Sequence, residues 1–287
     1  MKIASKHNTD KDKIRNYIYG ALLVFIMSFL LHAPPPISSP MLYTDYFVFW
    51  NRQLAYRIKA GHVGLPYADI FFEYPPVPAL IFFIATLIPD ILFGFQGPQS
   101  LALYFMIISI FILLAYIGSI YEIHRLLVML NRSLERVWQY MILAPSLLFF
   151  MVYNWDIIAV FFTLLSIRSY IEQRFTWSAL WMGFAIASKL IPVVVALAVI
   201  LELIYQHDVK GVFKFIGIIL FVYIGLNLPF MVINFDGWFY MFVFLSEMHI
   251  EDSWILYLFL NPQSQYAKYV TVVSFMLLFL YLSLIHI

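Results

Sequence analysis

The chain contains no cysteine, which excludes disulfide bonds, thiolate metal sites and thiol nucleophiles. Charge is scarce as well: Asp, Glu, Lys and Arg make up 11% of the 287 residues, against about a quarter in soluble domains. The formal net charge is +1 with no long basic run, so the clustered cations that nucleic-acid binding requires are missing and nucleic acid is excluded as a partner. Neither G-x-G-x-x-G nor a P-loop occurs, which argues against a soluble nucleotide held in a phosphate loop. No repeat of fixed period and no low-complexity segment is visible. No spacing demands a metal, so neither a metal site nor a cofactor is expected.

What fills the chain is apolar, with 63% hydrophobic and 20% aromatic residues. That composition is read as an all-α polytopic membrane protein. A hydrocarbon core about 30 Å thick needs roughly 20 apolar residues per spanning helix. Candidate spans are 15–32, 99–123, 137–153, 156–170, 177–189, 190–206, 212–234 and 265–281, giving about eight or more transmembrane helices. The first, preceded by a charged stretch and followed by no small-residue cleavage site, reads as a retained transmembrane helix. Residues 1–281 are expected to form a single transmembrane domain. The terminal "LSLIHI", 282–287, matches a translated sequencing adapter; it is set aside, and the natural chain is expected to continue.

Segment 77–94, "VPALIFFIATLIPDILFG", is interrupted by Pro78, Pro89 and Asp90 and reads either as a span or as a half-helix dipping in from one face. If it does not cross, the inner ends hold 12 of the 17 basic residues, among them Arg125, Arg168, Arg174, Lys210 and Lys214. Positive charge favours the cytoplasm, so the non-crossing topology is preferred. It leaves the N-terminus cytoplasmic. It also places loop 33–76, the "NWD" break at 154–156, the break near Lys189 and the loop 234–254 together on the outer face.

Those four segments carry the chemistry. Asp45, in "YTDYFVFW", is either a solvated loop carboxylate or helix N-cap, or a general base whose proton affinity is raised by burial among rings. After it, Phe47, Trp50, Leu54, Ala55 and Ile58 recur at helical spacing up to Gly61, predicting an amphipathic interfacial helix. Pro75 and Pro76 fix an extended turn that holds Glu73 and Tyr74 beside the bilayer. Lys189 interrupts the apolar run 177–206 together with Pro192, predicting a hairpin of two shortened helices with the amine at its tip. An amine at that depth either seeks an anionic partner, such as a lipid-linked phosphate, or snorkels to the headgroups. Asn154 and Asp156 are turn formers or site residues. His249 is a candidate phosphate partner beside Glu251 and Asp252.

In combination these residues resemble a family. "TDYFVFW…LAYRIKAGHVGLPYADIFFEYPPVPALIF" is similar to the outer loop of GT-C glycosyltransferases, specifically glycosyltransferase family 87 and the related polyprenyl-phosphate-mannose-dependent mannosyltransferases. "RFTWSALWMGFAIASKLIPVVVALAVI" resembles their W-x-A-G…G-x-A…K-x-x-P hairpin, and "FLSEMHIEDSW" a later outer loop. The blocks cover roughly residues 40–255. They depart from the pattern in having one acid rather than a D-x-D pair and no arginine in the third block. The resemblance implies a membrane glycosyltransferase of a GT-C-type bundle. Such an enzyme moves a hexose, commonly mannose, from a polyprenyl-phosphate donor to a lipid or glycan hydroxyl on the extracytoplasmic face, as in glycolipid biosynthesis. It further implies Asp45 as catalytic base, Lys189 and His249 near the donor phosphate, and Tyr46, Tyr67, Glu73, Tyr74, Asn154 and Asp156 as substrate-positioning residues. Membrane lipids are the other expected partners. The competing class is a transporter or lipid flippase, which predicts inverted repeats and a second polar set on the cytoplasmic side; neither is apparent in the sequence. A third reading is a non-catalytic assembly partner that would tolerate loss of Asp45.

Overall fold

The computed structural model describes residues 2–247, 269–270 and 273–274, and the described residues are all-helical, with no strand. Eleven helices are described: α1 (Lys2–His32), α2 (Asp45–Ala60), α3 (Pro76–Phe93), α4 (Gly97–Met129), α5 (Glu135–Met141), α6 (Pro145–Phe150), α7 (Asp156–Ile171), α8 (Phe175–Ser188), α9 (Val193–Tyr205), α10 (Val209–Ile233) and α11 (Phe235–Glu247). Four are long and apolar enough to cross a membrane: Asp12–His32 within α1, and α3, α4 and α10. The shorter α9 is also apolar. The chain divides into two units, Met1–Trp238 and Phe239–Ile287. Of the second, the end of α11 is helical and sets the Phe239 and Phe242 rings tilted at 45° to each other.

In the first unit α4, α7, α8 and α10 lie side by side in that order, with α1 and α3 against α4 and α9 against α10. Contacts of Phe29 with Phe105 and of Tyr17 with His124 make α1 antiparallel to α4. Helices α4 and α7 approach at Gly118, where a Cβ would stand 2.4 Å from the Phe161 ring; a small residue is required there, as in membrane helix packing generally. Ala179, Met182 and Ile186 of α8 pack with Val199 and Leu203 of α9 and Phe215 and Ile219 of α10. On its other side α10 turns large apolar groups outward, Phe221 at 77% and Val232 at 76% exposure. Such a face suits lipid rather than water.

Several predicted boundaries move. The segment 137–153 is not one span but two short helices, α5 and α6. Pro145 has no N–H to continue α5 and instead starts α6 from its first turn. Helices α7, α8 and α9 have 16, 14 and 13 residues, short of a full crossing at about 1.5 Å per residue. Among the described residues four helices reach spanning length, and the expected count of eight or more is not confirmed. The 177–206 run does break at Lys189 and Pro192 into α8 and α9. Segment 77–94 is a continuous helix, α3: Pro78 stands in its first turn, where a missing N–H costs little, and Pro89 lies inside the helix, which continues past it to Phe93 without that hydrogen bond. Its Phe82 meets Tyr104, and Val77 to Ile84 line an apolar cavity with Phe111, Leu114 and Ala115 of α4. The predicted span at 265–281 lies almost wholly outside the described residues.

Candidate active site

Helix α2 begins where Thr44 caps it: Thr44 Oγ1 accepts from the Tyr46 N–H at 3.4 Å, and the same hydroxyl donates to the Val152 and Tyr153 carbonyls at 3.0 Å. Thr44 rather than Asp45 is therefore the N-cap. Asp45 opens the first turn, its N–H bonded to the Tyr153 carbonyl at 3.1 Å. The helix ends at Gly61, whose φ of 81° lies in the left-handed region that glycine adopts without strain. Its buried stripe is Tyr46, Phe49, Trp50 and Gln53; of the predicted face Trp50 is buried, whereas Phe47 and Leu54 are only partly covered and Ile58 is 75% exposed. The loop supplies α2 with a wall: Phe49 packs on Phe72, Tyr74 and Phe82 at 4.6–5.8 Å between ring centroids. Pairs of this kind contribute about 0.5–1.5 kcal/mol each beyond their buried area.

This packing brings the predicted residues together. Tyr74 donates to Asp45 Oδ2 at 2.6 Å, and the Tyr43 hydroxyl lies near the same carboxylate. Burial raises the proton affinity of Asp45, the Tyr74 hydrogen bond and the nearby Tyr43 hydroxyl oppose that rise, nearby Asp156 adds to it and Lys189 subtracts from it. The tyrosines respond in turn: burial and the Asp45 charge push Tyr43 up to about 12 and Tyr74 higher still. Both remain hydrogen-bond donors at neutral pH.

Lys189, at the α8–α9 break, pairs with Asp156 at the start of α7. Their side chains are 30% and 46% exposed. The anionic partner predicted for Lys189 is thus, in this state, a carboxylate of the chain itself. Asn154 shapes the approach, its Oδ1 accepting from the Asp156 N–H at 3.0 Å. Beneath the pair an apolar cavity of about 250 Å³ runs between α7 and α9, lined by Ala159, Val160, Thr163, Ile191 and Val195.

Two predicted substrate-positioning residues are interior. Tyr46 is fully buried, donates to the Asn154 carbonyl at 2.7 Å, and lies 4.7 Å from the Trp155 ring. Tyr67 is buried, donates to the Tyr74 carbonyl, and meets Phe72 and Phe230 edge-on. Each holds a neighbour that reaches the site. Glu73 is engaged by Arg52, which also bonds the Phe71 carbonyl at 3.3 Å and lies over the Phe49 and Phe71 rings. Burial raises the proton affinity of Glu73 while the Arg52 guanidinium opposes it. His249 lies outside the described residues, as do Glu251 and Asp252. Tyr43, Arg52 and Trp155 escaped the sequence reading. Tyr43 and Arg52 stood beside or within the quoted loop, and Trp155 is the centre of "NWD".

Among the described residues no group of three or more His, Asp or Glu is arranged to hold a metal. The assembled chemistry is a tyrosine-bonded carboxylate with raised proton affinity beside a lysine–carboxylate pair. Comparison with protein-family models, with curated proteins and with solved structures found no match to this chain.

Proposed function

We propose that the chain is a membrane glycosyltransferase using a polyprenyl-phosphate sugar donor, with Asp45 as general base. The observation that carries this reading is the convergence of Asp45, Tyr74, Asp156 and Lys189 from four separate segments onto one site. In the proposed reaction the acceptor hydroxyl oxygen attacks the anomeric carbon while its proton passes to Asp45. The bond from that carbon to the phosphate oxygen breaks, its electron pair leaves with the polyprenyl phosphate, and the sugar inverts. A prenyl phosphate is already a good leaving group, so the protein need supply a base, a cation and orientation. Lys189 is the cation, and the donor phosphate takes over part of the charge that Asp156 balances at rest. Tyr74 and Tyr43 hold the carboxylate in its acceptor-facing rotamer. Tyr46 and Tyr67 act as positioning residues through Asn154 and Tyr74. Glu73 and Arg52 brace the outer loop.

In this reading the donor is a mannose carrier and the acceptor a lipid or glycan hydroxyl. The site faces away from the cytoplasm, which follows from the distribution of Lys and Arg. In this reading helix α3 does not cross, and it packs along residues 104–115 of α4. The test is transfer of label from radiolabelled polyprenyl-phosphate mannose in membranes carrying the chain. Asp45→Asn is expected to lower transfer by about 10³-fold, within the range of general-base contributions, and Lys189→Ala to lower it strongly. Undiminished transfer in Asp45→Asn would remove the base assignment.

A second reading has one observation in its favour. Glu122, Arg125, Arg168 and Glu172 form a charged cluster at the other end of α4 and α7, the second polar set that a transporter would carry. If wild-type membranes transfer no sugar, movement of a fluorescent anionic lipid across proteoliposomes is the measurement that supports it.

A further inference from the structure

At the end of the bundle away from Asp45, α8 and α10 begin side by side, and their first turns border two adjoining cavities. One, of about 260 Å³, is lined by Asp208, Lys210 and Lys214 among apolar neighbours. The other, of about 520 Å³, is lined by Arg174, Thr176, Trp177 and again Lys214. Phe175 and Lys214 belong to both, so the two form one polar recess. Lys210 and Lys214 are one turn apart on α10 and therefore share a face.

The recess is cationic in a way its own acids do not balance. Asp208 spends its carboxylate on capping α10, accepting from the Gly211 N–H at 2.9 Å. Arg174 reaches Glu172 only at 3.7 Å, and that carboxylate is already bonded by Arg168 and Arg125. Among the described residues neither Lys210 nor Lys214 forms an ion pair. Helix α8, by contrast with α10, has no side chain capping its N-terminus. Its first N–H groups add a positive end to the same recess.

Depth identifies the ligand class. Helix α10 is one of the four of spanning length, so its first turn stands at the membrane boundary. Trp177, Tyr205 and Phe213 are exposed around the recess, the aromatic girdle expected at headgroup level. We propose that this recess binds the phosphate of an anionic phospholipid such as phosphatidylglycerol. Arg174 offers its planar fork to two phosphate oxygens, and Lys214 and Lys210 supply point charges. A zwitterionic phosphatidylcholine presents the same phosphate but brings a quaternary ammonium, which the three cations repel. The proposal is independent of the transferase reading, since it uses none of its residues.

The test uses the tryptophan already in the recess. The purified chain is placed in neutral mixed micelles with dibrominated phosphatidylglycerol or dibrominated phosphatidylcholine, and quenching of tryptophan emission is followed against lipid fraction. Phosphatidylglycerol is expected to reach half-quenching at a several-fold lower fraction than phosphatidylcholine. In Arg174→Gln/Lys214→Gln, both exposed positions, the two curves are expected to coincide, and Trp177→Phe is expected to lose the preference. Coincident curves in the wild type overturn the proposal, as does a preference that survives the double substitution or Trp177→Phe. Loss of the preference on adding millimolar inorganic phosphate would make this a free-phosphate site and overturn the lipid assignment.

Discussion

Helix α7 carries charge chemistry at both ends, and the two ends solve the same problem differently. At one end Arg168 bonds Glu122 and Glu172, and Arg125 bonds Glu172 as well. The side chains of Arg168, Glu122 and Glu172 are only 12%, 5% and 19% exposed. At the other end, among the described residues, Asp45 is bonded by the Tyr74 hydroxyl and by no cation, and Lys189 is spent on the half-exposed Asp156. Glu122 lies 18 residues along α4 from Tyr104, whose hydroxyl bonds the Tyr46 carbonyl, which separates the two ends by about 27 Å. The first cluster is saturated and therefore structural. The second retains a charge that burial disfavours, the condition that raises a carboxylate's proton affinity.

The largest effect that could break this contrast is on stability. Arg168→Met leaves Glu122 and Glu172 without their shared cation and is expected to cost about 3–5 kcal/mol, as when one partner of a buried pair is removed. Thermal unfolding in detergent reads it, and the pH profile of transfer should not move. A loss under about 1 kcal/mol would mean that the far cluster is no clamp.

The next effect sharpens the Asp45 end. Tyr74→Phe removes a hydrogen bond to the charged form of Asp45 and is expected to slow transfer about tenfold. It also removes the main influence opposing the rise in proton affinity. Activity that depends on the deprotonated base falls as pH drops, so the acid limb of the profile should move to higher pH. A profile that stays in place would separate Tyr74 from the base.

The smallest effect has the opposite sign to its effect on activity. Because the folded chain holds the Asp45 proton at pH values where an unfolded chain has released it, charged Asp45 lowers stability at neutral pH. That cost fades as pH falls through its folded pKa. Asp45→Asn should therefore raise the unfolding midpoint at neutral pH while abolishing transfer, with the gain shrinking toward acid. A lowered midpoint would mean that the carboxylate is structurally paired, as at the far end.

Some of this was legible along the chain. The α8–α9 break needed only Lys189 and Pro192 in an apolar run, and the end of α2 needed only Gly61. The face of α2 was read in part: Trp50 is buried as expected, but Phe47 and Ile58 are as apolar as Phe49 and only the neighbours Phe72 and Phe82 select which of them is covered. The division of 137–153 at Pro145 was available to propensity and was overridden by hydropathy. That Tyr46 and Tyr67 are interior could not be read, since a tyrosine in a loop has the same local signature whether its hydroxyl meets a substrate or a backbone carbonyl.

The sequence by itself determined that this is an all-helical protein of membrane composition, and where most of its helices start and stop. Those properties depend on neighbours within a few residues: runs of apolar side chains, prolines without N–H groups, a glycine free to turn left-handed. Only the tertiary structure decided that Asp45 meets Tyr74 and that Asp156 meets Lys189, 29 and 33 residues apart, and that Arg168 is sealed between two glutamates. Such pairings depend on how whole helices pack, and hydropathy and local periodicity carry no information about which distant turn will face which.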